Sequence, residues 1–250
     1  MLSKTACPDI SGKSRFAGKK YLAVSVAMVF ALVSFVQAQE SSFEKEAAPW
    51  HKKAIMTCGM LRDMKTFDEQ KMLKNLDELS TELNALQTKY AENAPQEYAN
   101  DPLWKTYFED LADNIAVVKE RVEKKQYRLV QNYCGNFCRI FGRMHKNNGL
   151  IDLTDMMFSL RAEIRGSMDM FNAQNYKGAK ESLNLIKNLL NKVADKAKAR
   201  NSKEFDALFE PLKSSAESWI DAIDKENKQV VVESFNNFMS AFPKSYGATL

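Results

Sequence analysis

The chain has 250 residues, 36 of them Lys or Arg and 32 Asp or Glu, with a formal net charge of +4. Five of the basic residues and one acid fall within residues 1–38, so the remainder is balanced at 31 of each. That balance leaves no bulk electrostatic attraction toward nucleic acid or anionic lipid. Only nine glycines and no period-two apolar alternation exclude a strand-rich fold.

Residues 1–20 carry Lys4, Lys13, Arg15, Lys19 and Lys20; Tyr21 to Phe35 is uncharged and apolar, and Val36-Gln37-Ala38 follows. A basic lead, an apolar run and small residues at the peptidase positions predict a secretory signal over 1–38. The run is shorter than the about 20 residues a membrane-spanning helix needs. The expected location is therefore periplasmic or secreted, with no stable membrane anchor after cleavage. Residues 39–47 read as a flexible lead.

Apolar residues then recur at helical spacing. Ile55, Cys58, Leu61 and Met64 mark a first helix near 48–66; Met72, Leu76, Leu79 and Leu83 mark a second, capped by Asp68. Asp101-Pro102 opens a third, with Trp104, Phe108, Leu111 and Ile115 on its buried side. A fourth runs from about Lys124 to His145, and Lys146-Asn147-Asn148-Gly149 is a break. A second set of four follows: about 152–171, then a helix holding Leu183 to Val193, then one carrying Phe205 to Ile223 with Pro211 as a start or a kink. The last helix is stopped by Pro243. The expected fold is all-α, two tandem antiparallel four-helix bundles over 48–148 and 149–250.

An internal repeat supports that division. At an offset of 101 residues, Asn136-Phe137 falls on Asn237-Phe238, Phe141 on Phe242, and Phe108-Glu109-x-Leu111 on Phe209-Glu210-x-Leu212. After the signal, Cys58, Cys134 and Cys138 remain, and export makes a disulfide plausible. With helix ends counted from about 48 and 145, Cys58 and Cys138 lie at similar depth, giving Cys58–Cys138 as the expected bond. Cys58–Cys134 is the alternative, and three free thiols a third reading.

The ends of the two fourth helices, Cys138-Arg-Ile-Phe141-Gly142-Arg-Met-His145 and Met239-Ser-Ala-Phe242-Pro243-Lys-Ser-Tyr246, resemble the haem-binding ends of cytochrome c-prime and the soluble periplasmic b-type cytochrome. The second set's opening, DLTDMMFSL, is similar to the b-type protein's first helix, which puts Met157 at the axial-methionine position. The resemblance implies an exported four-helix bundle. Gly142 and Pro243 replace the axial histidine, and of the paired thioether positions Cys138, Phe141, Met239 and Phe242 only the first is cysteine, so the ligands are degenerate. No cofactor is expected, with haem b through Met157 the alternative.

His51 and His145 are the only histidines and read as surface residues; with the cysteines they give a thinner copper or zinc reading. The 12 methionines read as core filler. No nucleophile elbow, phosphate loop, zinc-protease helix or paired-carboxylate di-iron signature appears, so no enzyme is expected. The reading is an exported, non-enzymatic binding or structural protein, its partner a protein or a small apolar ligand.

Overall fold

The computed structural model describes residues 42–250, so the signal assigned to 1–38 lies outside the described residues. Those residues are all-α, with no strand among them. The helices are α1 (Ser42–Gly59), α2 (Glu69–Tyr90), α3 (Trp104–Glu123), α4 (Tyr127–Asn147), α5 (Leu153–Asn172), α6 (Tyr176–Glu181), α7 (Leu183–Arg200), α8 (Lys203–Asp224) and α9 (Lys228–Gly247).

Local chemistry sets several of these boundaries. The Asp68 carboxylate accepts from the Lys71 amide at 2.9 Å and starts α2. Asp152 and Asp155 form a reciprocal capping box at the start of α5. Ser202 and Asn227 cap α8 and α9. Asp101 caps the turn before α3 by accepting from the Leu103 amide at 2.8 Å, so the helix proper begins two residues beyond the Pro102 start read from sequence.

α1, α2, α3 and α4 contact one another in sequence and close a ring through α1–α4; α5, α7, α8 and α9 do the same through α5–α9. The buried side chains form two clusters. One runs from Phe43 to Met144 and the other from Cys138 and Met157 to Tyr246. α4 and α5 touch, and Ile55 of α1 packs on the second cluster, so the two sets share a contact region.

Five expectations need correction. The lead over 39–47 is not loose where it is described: α1 begins at Ser42, and Phe43 and Ala47 are buried. Phe43 sits edge-on to Tyr90, Tyr98, Trp104 and Phe108, with centroids 4.9–6.0 Å apart, and this aromatic box orders the chain. The disulfide joins Cys58 to Cys134, with Cα atoms 5.8 Å apart, and Cys138 is free and buried. The earlier start of α1 explains this. At 1.5 Å per residue Cys58 lies about 24 Å from the shared end, Cys134 about 20 Å and Cys138 about 14 Å. Pro243 does not stop α9, which runs on to Gly247. The helix read as one over Ala179 to Val193 is broken at Ser182 into α6 and α7. Finally, His51 and His145 are buried, at 5% and 6% exposure, rather than on the surface.

Candidate functional site

The repeat is visible in backbone detail. α3 ends at Glu123 and α4 begins at Tyr127; α8 ends at Asp224 and α9 begins at Lys228. Both connections shift by 101 residues. In each, one residue turns left-handed, Lys125 at φ 55° and Glu226 at φ 54°. In each, the same two bonds close the helix: Lys125 N–H to Val122 O and Gln126 N–H to Arg121 O, then Glu226 N–H to Ile223 O and Asn227 N–H to Ala222 O. This is the Schellman pattern, used twice at the same register.

A cleft opens between α3 and α4, with a volume of about 430 Å³. That lies within the range of small-molecule sites. α3 contributes Asp110, Asp113 and Asn114; α4 contributes Asn136, Arg139 and Arg143. Arg143 pairs with Asp110 and lies over the Tyr107 ring at 5.3 Å, closing one end. Asn136 donates to Asn114 Oδ1 at 3.2 Å, and Arg139 donates to Asn136 Oδ1 at 2.8 Å. Asn114 is 6% exposed, and its Nδ2 has no protein acceptor. An unanswered buried amide donor is costly unless something else accepts from it.

A second cleft, about 270 Å³, lies between α8 and α9 and is lined by Ser214, Ser215, Ser218, Ser234 and Asn237 among others. These five are the residues at offset 101 from Asp113, Asn114, Val117, Tyr133 and Asn136 of the first cleft. The duplicated helix pair thus carries a depression at the same place twice, with its lining changed from charged to hydroxylic.

Near the contact between the two sets lies a buried polar knot. His145 Nδ1 is 2.7 Å from Asp155 Oδ2, and its Nε2 is 3.4 Å from Glu44 Oε2. Glu44 in turn accepts from the Tyr98 hydroxyl. The knot joins α1, α4 and α5. Burial pulls the His145 pKa down, but the contacts with Asp155 and Glu44 outweigh it and raise the pKa to about 10, so the ring is an imidazolium at neutral pH. His51 stacks on Phe141 at 4.2 Å. Its burial, and next the His145 charge, lower its pKa to about 3, so it stays neutral.

His145, Asp152 and Asp155 offer three donor atoms within 4.8 Å of one another. These atoms are already engaged: Asp152 Oδ1 accepts from the Asp155 amide at 2.8 Å, and Asp155 Oδ2 accepts from the Asp152 amide at 3.2 Å as well as meeting His145. A metal ion there would have to displace the His145 proton and dismantle the α5 cap. Cys58 and Cys134 are consumed by their disulfide, so they add no thiolate donor.

The residues singled out for haem are scattered through packed interior. Phe141 is in the first core, and Met157, Cys138 and Phe242 are in the second. The Tyr246 hydroxyl donates to Cys138 Sγ at 3.3 Å, and burial pushes the Cys138 thiol up to about 11. Phe242 stacks on Tyr246 at 5.1 Å and lies beneath the Arg161 guanidinium at 5.3 Å. Met239 is half-buried, and Pro243 sits within α9. Gly142 lets α4 approach α5: a Cβ there would lie 3.4 Å from Asp155 Oδ1.

Sequence reasoning missed the α3–α4 cleft. The signal was available, since Asp110, Asp113 and Asn114 recur at helical spacing opposite Asn136, Arg139 and Arg143, but such residues read as a solvated face until the helices are paired. It also missed the knot, because Glu44 lay in the supposed loose lead. No protein-family model, curated protein or solved structure matches this chain.

Proposed function

We propose that this is an exported, non-enzymatic tandem-bundle protein that holds a small ligand between its third and fourth helices and carries no haem. The observation that carries the reading is the α3–α4 cleft, recurring at the same repeat register between α8 and α9. The disulfide supports an oxidising compartment. Among the described residues no helix is long and apolar enough to cross a membrane. Packed Phe238, Phe242 and Met157 occupy interior that a porphyrin would need, which supports a duplicated scaffold that has lost a cofactor.

The first cleft is lined by charged and amide groups as well as apolar ones, so the small apolar ligand expected from sequence gives way to a polar one. The test is a thermal-shift screen of small metabolites against the mature protein and a Val117→Trp variant. Val117 lines the cleft, and the larger side chain fills it. Ligands that raise the melting temperature of the wild type and not of the variant support the reading. A screen in which every stabilising ligand acts equally on both, or a mature protein that purifies with a Soret band, contradicts it.

A further inference from the structure

Resting on that binding reading, we infer that the α3–α4 cleft takes a compact zwitterion, a free α-amino acid with an apolar side chain. The charge layout selects the class. With Arg143 engaged by Asp110, the cleft retains one carboxylate on α3, Asp113, and one guanidinium on α4, Arg139, neither in an ion pair with another side chain among the described residues. A cation alone would leave Arg139 unanswered, and an anion alone would leave Asp113 unanswered. A molecule with an ammonium and a carboxylate a few ångströms apart satisfies both.

The buried amide adds direction. Asn114 Nδ2 lacks an acceptor, and the Asn114–Asn136–Arg139 chain of hydrogen bonds brings that donor into the same polar run as the guanidinium. The ligand carboxylate therefore belongs on the Arg139 and Asn114 side and its ammonium on Asp113. Val117, Tyr133 and Ile140 complete the lining and offer apolar surface to a side chain. A polar end matched by charge-assisted bonds and an apolar end against aliphatic groups is how compact sites fix orientation.

The second cleft serves as an internal comparison. At offset 101, Asp113 becomes Ser214, Arg139 becomes Ser240 and Asp110 becomes Pro211. It has lost both halves of the charge pair, so one site per chain is expected, not two.

Titration calorimetry of the mature protein with L-leucine, L-valine and L-phenylalanine tests this, alongside 4-methylpentanoate and 3-methylbutylamine, which keep the leucine skeleton and lack one charge each. At least one amino acid should bind at one site per chain. Both single-charge analogues should bind about tenfold or more weakly than leucine, the loss of one charge-assisted hydrogen bond. Asp113→Asn and Arg139→Gln should each weaken the amino acid by a similar factor with circular dichroism and melting unchanged, while Ser214→Ala leaves it as it was. Three amino acids that do not bind, analogues that bind as well as leucine, or folded variants that bind normally each overturn the assignment. If that happens while other ligands still lose their effect in Val117→Trp, only the ligand class falls; if no ligand depends on Val117, the binding reading falls with it.

Discussion

At the scale of single residues, the buried histidines carry opposite charge states a short distance apart, and pH separates them. His145 is held charged against Asp155 and Glu44, with its pKa raised from 6.5 to about 10. Its contribution is complete below about pH 6.5 and is lost as pH rises through about 10. His51 is held neutral, with its pKa lowered from 6.5 to about 3. Below pH 6.5 the unfolded chain binds a proton that the native His51 refuses, so stability also falls as pH drops toward 3. These two groups give a stability maximum near pH 6.5. Urea midpoints from pH 4 to 10 should trace it. His145→Ala should flatten the alkaline limb and cost about 3 kcal/mol at neutral pH by leaving Asp155 buried and unpaired; His51→Phe should flatten the acid limb. An alkaline limb unchanged in His145→Ala would refute this assignment. The sequence named both histidines and placed them at one end of the first bundle. It could not show their burial, because the carboxylates that stabilise His145 come from Glu44 and Asp155, on helices remote in sequence.

At the scale of helices, the disulfide and the prolines carry the test. Cys58 and Cys134 are 76 residues apart, and closing so long a loop is worth about 4 kcal/mol by the chain-entropy account. A Cys58→Ser, Cys134→Ser double variant should melt well below the wild type, and peptide mapping should find Cys138 unbridged. A Cys58–Cys138 peptide would reverse the pairing. α9 passes through Pro243, which has no N–H to offer the Met239 carbonyl. Just beyond it the fully buried Ser245 hydroxyl donates to Leu208 O of α8 at 2.6 Å and fastens the two helices. Ser245→Ala should cost about 1–2 kcal/mol in chemical denaturation; an unchanged midpoint would mean the bond contributes nothing. Helical periodicity gave the existence and order of these elements. It erred where tertiary packing decides: Phe43 and its aromatic box extend α1 backward, and α9 tolerates a proline that reads as a stop.

At the scale of the molecule, the offset of 101 residues read from Phe108, Asn136, Phe137 and Phe141 reappears as matched helix ends, matched Schellman turns and matched clefts. The repeat was legible because buried aromatic positions tolerate little change. The cleft was not, because its lining has diverged from Asp113, Asn114 and Arg139 to serines. The two cores are linked by α4–α5 packing, by the His145–Asp155 contact and by Cys138, which leaves the first set of helices to bury itself in the second cluster. The wild type should therefore unfold in one calorimetric transition, and Asp155→Ala should split or broaden it. A wild type that already melts in two well-separated steps would show that these contacts do not couple the cores.

The central claim is that ligand is held on the α3–α4 flank and not in the bundle interior where a porphyrin would lie. Amide hydrogen exchange of the mature protein, with and without saturating L-leucine, measures this directly. Slower exchange confined to the segments around Asp113 and Arg139 is the expected result. Protection centred on Met157, Phe238 and Phe242, with the α3–α4 segments unchanged, would contradict it.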